Sequence, residues 1–273
     1  MKVTILGSGT SHGIPVIGCG CPVCTSNDSR DIRMRCSLYI EGPGEERFVI
    51  DTGPEFRLQA VRAKIAKLDA VFLTHSHADH LHGLDDVRPL SDENPVPVYG
   101  NEAAITEMKE RFSYVFNPNT QEGGGKPKIK PVITNEPVML GKLTITPFPV
   151  KHGSLDILSW YIAESATDNS AAPEGLLYMT DTSAIDSKIL AVLPRPKILI
   201  IGGLRVRPHS THFSFKEALD VAARIKCREA YLTHICHTHF HKEIEEYCNE
   251  YVGRNNIKNI KMGPAWDNAE LFL

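Results

Sequence analysis

At 273 residues and 42% apolar, the chain is long enough to bury one substantial core, and a single domain spanning 1–273 is the expectation. The formal net charge of -3, with both signs spread along the chain, offers no basic stripe to nucleic acid or to an anionic membrane. No apolar run approaches the ~20 residues that span a bilayer, and Val3-Thr4-Ile5-Leu6 is too short for a signal segment, so a cytoplasmic protein is expected.

Short β-type runs alternate with helical patterns throughout, which argues for an α/β layered domain. Strands are predicted over Lys2–Gly7, Leu38–Gly42, Arg47–Asp51, Ala70–Thr74, Val96–Tyr99 and Ile129–Ile133. Further strands are predicted over Leu143–Phe148, Trp160–Ala163, Leu176–Thr180, Ile198–Ile201, Ala230–Thr233 and Ile260–Gly263. Helices are predicted over Pro54–Ala66, His80–Pro89, Glu102–Tyr114, Ser183–Leu193, Phe215–Lys226 and Lys242–Val252, several opening on Pro, Asp, Asn or Ser. Asn117–Lys128, which holds Gly123-Gly124-Gly125, and the polar stretch Ser165–Glu174 are predicted to be flexible.

Residues able to bind metal recur just past apolar strands: His75 after Val71-Phe72-Leu73, Asp181 after Leu176-Leu177-Tyr178-Met179, and His234 after Ala230-Tyr231-Leu232. Strand ends form a rim on which loops converge. In Thr74-His75-Ser76-His77-Ala78-Asp79-His80, four donors fall within six positions as a strand gives way to a loop and then to a helix. Imidazole nitrogen and carboxylate oxygen suit Zn²⁺, Mn²⁺ or Fe, so the donors alone leave the metal open.

This His-x-His-x-Asp-His run after an apolar strand resembles the metallo-β-lactamase superfamily, and the resemblance extends along the chain. It implies an αββα sandwich with two catalytic divalent metals, Zn or Mn, at the rim between two sheets. Carried over, His75, His77 and His152 would hold one metal, Asp79, His80 and His234 the other, and Asp181 would bridge them. Asp79 is counted in the catalytic set as well. Taken alone, His152 or Asp181 would read as a hydrogen-bonded core or capping residue.

Cys19-Gly20-Cys21-Pro22-Val23-Cys24 places three thiols in a Gly- and Pro-containing loop. In a reducing compartment such clusters are more often metal ligands than disulfides. Three thiolates leave a tetrahedral structural zinc one ligand short. His237, three residues after His234, is the candidate fourth ligand and Cys236 its rival, with a merely reactive thiol cluster as the alternative. Cys36, Cys227 and Cys248 read as packing residues.

Together with Thr233-His234-Ile235-Cys236-His237, the cysteine loop looks like that of the PhnP-type cyclic phosphodiesterases. That resemblance implies hydrolysis of a small anionic cyclic phosphodiester, of the phosphoribosyl 1,2-cyclic phosphate or 2′,3′-cyclic nucleotide type, by water activated between the metals. It also implies a histidine on the leaving-group side. His212 fits that place as general acid, because imidazolium can give a proton to a departing alkoxide, and His209 is a second candidate. Arg205 and Arg207 are candidate phosphate ligands, with Arg33 and Arg35 behind them. His82 reads as structural. Cys236 and the glycines around Gly124 depart from the group pattern and bear on pocket size. Competing readings are a tRNA 3′-processing nuclease of the same superfamily and a non-hydrolytic relative in pyrroloquinoline quinone biosynthesis. The sequence leaves open whether the chain forms a homodimer.

Overall fold

The computed structural model describes residues 1–91, 94–119, 125–165 and 174–273. In chain order these form β1 (Lys2–Gly7), β2 (Ser37–Glu41), β3 (Arg47–Ile50), α1 (Phe56–Arg62), β4 (Ala70–Phe72), α2 (Ala78–Leu81) and β5 (Val96–Gly100). Next come α3 (Glu102–Arg111), α4 (Ser113–Phe116), β6 (Ile129–Ile133), β7 (Val138–Leu140), β8 (Leu143–His152) and β9 (Leu155–Glu164). The chain continues with β10 (Leu176–Met179), α5 (Ser187–Val192), β11 (Ile198–Gly202), α6 (Phe215–Ile225), β12 (Glu229–Thr233), α7 (His241–Arg254), β13 (Lys261–Pro264) and β14 (Glu270–Phe272).

The strands make two seven-stranded sheets, ordered β14-β1-β2-β3-β4-β5-β6 and β13-β12-β11-β10-β9-β8-β7. Each sheet is antiparallel on one side and parallel on the other, and the change falls at β3 in the first and at β10 in the second. The parallel strands β10 and β11 are buried along their whole length, as their unbroken apolar runs require. β8 instead alternates buried and partly exposed positions, the pattern of a strand with one face on the core. It tolerates Pro147 and Pro149 because β7 pairs only with Leu143–Ile145, leaving the rest of β8 as an edge.

Phe48, Phe72, Trp160 and Tyr178 fill the space between the sheets, with Phe72 edge-on to both Phe48 and Trp160. Helices α1 and α3 cover the outer face of the first sheet through Phe56, Ile105 and Met108. Helices α6 and α7 cover the second through Phe215, Leu219, Ile244 and Cys248. The architecture is the expected αββα sandwich.

The elements depart from expectation in several places. The helix expected over His80–Pro89 is the single turn α2 followed by a 3₁₀ stretch, Leu84–Leu90. The break is at Gly83, whose N–H donates to the Thr52 carbonyl at 2.8 Å and where a Cβ would stand 2.0 Å from the Gly53 carbonyl oxygen. Only glycine permits that approach. The helix expected over Glu102–Tyr114 divides at Phe112 into α3 and α4, and Trp160–Ala163 proves to be the end of the ten-residue β9. Strands β7 and β14 were not expected; each is only three residues long. Of the two stretches expected to be flexible, residues 120–124 and 166–173 lie outside the described residues. No helix among the described residues is long and apolar enough to cross a membrane.

Candidate metal centre

The parallel strands deliver their C-terminal ends to one rim. Asp51 follows β3, Asp181 follows β10 after Thr180, and His234 follows β12, and each takes a left-handed backbone with φ of 63°, 52° and 56°. Such a turn swings a side chain out of the strand and over the sheet end, and Asp and His accept it more readily than β-branched residues. His75 lies three residues beyond β4, His77 precedes α2, and Asp79 and His80 are within it. His152 is the last residue of β8, opposite Leu155.

The structure brings these residues together in two groups. The donor atoms of His75, His77 and His152 all lie within 4.8 Å of one another, and so do those of Asp79, His80, Asp181 and His234. Asp181 reaches into both groups. Its Oδ1 is 3.3 Å from His80 Nε2, while its Oδ2 is 3.2 Å from His234 Nε2, 3.9 Å from His75 Nε2 and 4.0 Å from His152 Nε2. Asp79 Oδ2 lies 3.1 Å from His80 Nε2 and 3.5 Å from His234 Nε2.

A second set of residues fixes how the donors point. Asp51, fully buried, accepts from the Thr74 N–H at 2.8 Å, the Thr74 hydroxyl at 2.7 Å and His80 Nδ1 at 2.7 Å. With Nδ1 protonated toward Asp51, His80 turns a bare Nε2 into the site. His152 Nδ1 is held at 2.7 Å by the Thr211 carbonyl, and the Thr180 hydroxyl donates to Asp181 at 2.7 Å. Sequence reasoning passed over Asp51, although a carboxylate just past an apolar strand is the signal that picked out Asp181. Cys36 is more than a packing residue, because its sulfur accepts from the His234 N–H at 3.2 Å and donates to the Gly9 carbonyl at 3.2 Å.

These donors fit divalent cations. His75 Nε2, His80 Nε2 and both ring nitrogens of His234 are buried without a hydrogen-bond partner, a costly state unless a further group takes their lone pairs. Burial opposes charge on His80, yet Asp79, Asp181 and Asp51 together push its pKa well up. Burial likewise opposes ionisation of Asp181, and His234 and His80 outweigh it, holding that carboxyl well below its usual range. A site with this balance attracts positive charge, which a divalent ion supplies in place of protons.

The cysteine loop folds onto the far side of the same segment. His237 Nδ1 is 3.5 Å from Cys19 Sγ, 3.5 Å from Cys21 Sγ and 3.4 Å from Cys24 Sγ. Tetrahedral zinc at its usual bond lengths separates a sulfur from a nitrogen ligand by about 3.6 Å, so the four donors already stand at that spacing. The backbone N–H of Cys24 helps to lower the Cys21 thiol to about 6, while burial raises Cys24 to about 11. Cys236 stays outside this cluster and contacts the Thr238 hydroxyl at 3.2 Å.

His212 closes the same rim. Its ring stacks on that of His234, with centroids 4.7 Å apart and planes 18° apart, and lies 4.7 Å from that of His152. Its Nδ1, 3.9 Å from Asp181 Oδ2, is buried without a hydrogen-bond partner. His209 is exposed, 5.2 Å from the His212 ring. Arg205 and Arg207 lie beyond β11; Arg205 Nε is buried and unpartnered, whereas Arg207 is exposed. Arg33 cannot reach a substrate, because it is fully buried with its guanidinium on Asp31 at 3.1 Å and the Cys236 carbonyl at 3.4 Å. Arg35 is engaged by Glu55 and the Ser11 carbonyl. His82, read from the sequence as structural, caps the end of α2 and is exposed beside Arg111.

The sequence profile of the beta-lactamase superfamily domain matches residues 46–235, which carry every donor of the two groups at the rim. A solved structure, a new diphosphatase from the PhnP family, is 34% identical and superimposes with a TM-score of 0.82 over 100% of this chain and 97% of its own. The chain belongs to the metallo-β-lactamase superfamily and, within it, to the PhnP family. Two curated relatives of this PhnP-family chain carry other names. The octanoyltransferase of Porphyromonas gingivalis is 37% identical over 238 residues, 87% of this chain and 46% of that protein. The coenzyme PQQ synthesis protein B of Rhodopseudomonas palustris is 25% identical over 213 residues, 71% of this chain and 65% of that protein. The chain thus spans about half to two-thirds of the length of these curated relatives. More than half of the octanoyltransferase lies outside the match, so its acyl-transfer name does not decide the chemistry of this rim.

Proposed function

We propose that the chain is a metal-dependent phosphoric diester hydrolase acting on a small cyclic phosphodiester, of the phosphoribosyl 1,2-cyclic phosphate or 2′,3′-cyclic nucleotide type. The observation that carries this reading is His212, an imidazole beyond the seven donors assigned to the two cations, whose donor atom lies within 4.8 Å of those of His152 and Asp181 and whose unpartnered Nδ1 is 3.9 Å from Asp181 Oδ2.

His75, His77 and His152 would hold one divalent cation and Asp79, His80 and His234 a second, with Asp181 between them. When bound, the pair, Zn²⁺ or Mn²⁺, polarises the phosphoryl oxygens and makes water available as hydroxide near neutral pH. Asp51, Thr74 and Thr211 keep the imidazoles turned toward the rim, and Cys19, Cys21, Cys24 and His237 would hold a structural zinc. Burial, reinforced by His234, pushes His212 down to about 3, so it is neutral before substrate arrives. The anionic charge of a bound phosphodiester works against that shift and lets His212 take up the proton it gives to the departing ribose oxygen. Arg205, whose Nε is buried and unpartnered and whose charge acts on His209, would steady the phosphate.

His212→Ala should keep its full metal content and lose about 10²–10⁴ in turnover of 2′,3′-cyclic AMP. The loss should be far smaller on bis(4-nitrophenyl) phosphate, whose leaving group departs without a proton. Equal losses on both substrates would remove His212 as the proton donor.

The 34% identity to a diphosphatase favours a second reading, hydrolysis of a diphosphate diester at the same rim. The departing group is then a phosphate, a better leaving group than an alkoxide, and His212→Ala should cost less. Turnover of 2′,3′-cyclic AMP against diadenosine diphosphate ranks the two readings.

A further inference from the structure

A cleft of about 520 Å³ opens beside the first histidine motif, lined among the described residues by His82, Arg111 and Phe112. That volume lies in the range of small-molecule sites. Its wall is tied to the rim. Arg111, at the end of α3, donates from Nη1 to the Ser76 carbonyl at 2.8 Å, between His75 and His77, and from Nη2 to Glu107 at 2.5 Å. Ser76 and Glu107 in turn line a smaller hollow whose wall includes His75 and His77. His82, two residues past His80, sets its Nε2 3.3 Å from Arg111 Nη1 and stands edge-on to the Phe112 ring at 6.5 Å.

We infer that this cleft seats a planar heteroaromatic base carried by the substrate, with His82 and the Arg111 guanidinium as its walls and the largely buried Phe112 ring at its base. The charge of Arg111 is already met by Glu107 and the Ser76 carbonyl, so the cleft offers flat faces more than a free cation, which suits a base better than a second phosphate. Aromatic rings and guanidinium planes stack on any base because every base has a π-face. Neither His82 nor Phe112 is among the proposed metal donors, so the cleft would set which substrates bind and leave the reaction to the rim. The inference rests on the proposed reaction only in taking the substrate to be a nucleotide rather than a bare sugar phosphate.

Binding separates the two. Wild-type protein should bind AMP about tenfold more tightly than ribose 5-phosphate, the discrimination expected of one stacked base. His82→Ala and Phe112→Leu should each reduce that preference while leaving ribose 5-phosphate affinity, metal content and unfolding temperature near the wild-type values. Phe112→Leu keeps apolar volume where the ring joins the core cluster, and the exposed position of His82 makes its truncation benign to folding. Equal affinity of the wild type for both probes, or a preference that survives both substitutions, would overturn the inference. A wild type that prefers AMP yet hydrolyses neither 2′,3′-cyclic AMP nor glycerol 1,2-cyclic phosphate would uphold the cleft and overturn the proposed reaction.

Discussion

Asp51 shows how a single buried carboxylate governs a donor it never replaces. Its oxygens are spent on Thr74 and His80, and an amide in its place would present an NH₂ group to one of them. Asp51→Asn is therefore expected to turn the proton of His80 toward the rim and weaken metal binding there by about 10- to 100-fold, the usual cost of losing such a partner. Isothermal titration with Zn²⁺ measures it, and an unchanged affinity would mean that Asp51 only packs. The donors themselves were legible because four of them sit close together in sequence, and His152, Asp181 and His234 could be matched to a known order. Asp51 was not, since one aspartate after one apolar strand is common and its partners, Thr74 and His80, lie 23 and 29 residues away.

Between β11 and the start of α6, the loop that carries His212 is fixed at several points. The Phe213 N–H donates to the Thr182 carbonyl at 2.7 Å, and its own carbonyl accepts from the Leu204 N–H at 2.9 Å. Ser214 then caps α6: its hydroxyl accepts from the Glu217 N–H, and the Glu217 carboxylate accepts from the Ser214 N–H at 2.7 Å. Losing such a cap costs about 1 kcal/mol. Ser214→Ala should thus lower the unfolding temperature by about 2–4 °C while leaving turnover close to that of the unsubstituted chain, because Phe213 still anchors the loop. A large fall in turnover without a thermal shift would show that the cap positions His212 directly. The start of α6 at Phe215 was legible in the sequence, although its cap was not read there. The end of α2 was not, because the break depends on how closely Gly83 approaches Gly53, a contact between segments that no local pattern encodes.

Across the molecule, strand identity was largely readable from apolar runs, whereas pairing order was not. Nothing in the short runs reveals that β1 lies between β14 and β2, or that the two sheets each change from antiparallel to parallel beside the rim. The Cys and His donors are a long-range feature of the same kind, and their number is measurable. Purified chain should carry three divalent ions, and Cys21→Ser should carry two with lower thermal stability, since His237 and His234 share one short segment. Three ions in the variant would take Cys21 out of the ligand set, and two in the unsubstituted chain would remove the structural zinc.

That cluster joins Cys19 to His237 across 218 positions, and β1 pairs with β14 across a still longer separation. At about 5–20 residues per second of synthesis, the three thiols wait roughly ten to forty seconds on the ribosome before their imidazole partner exists. During that interval the thiols stand without their fourth partner, so a thiophilic ion taken up then would be selected by supply in the growing cell as well as by coordination geometry.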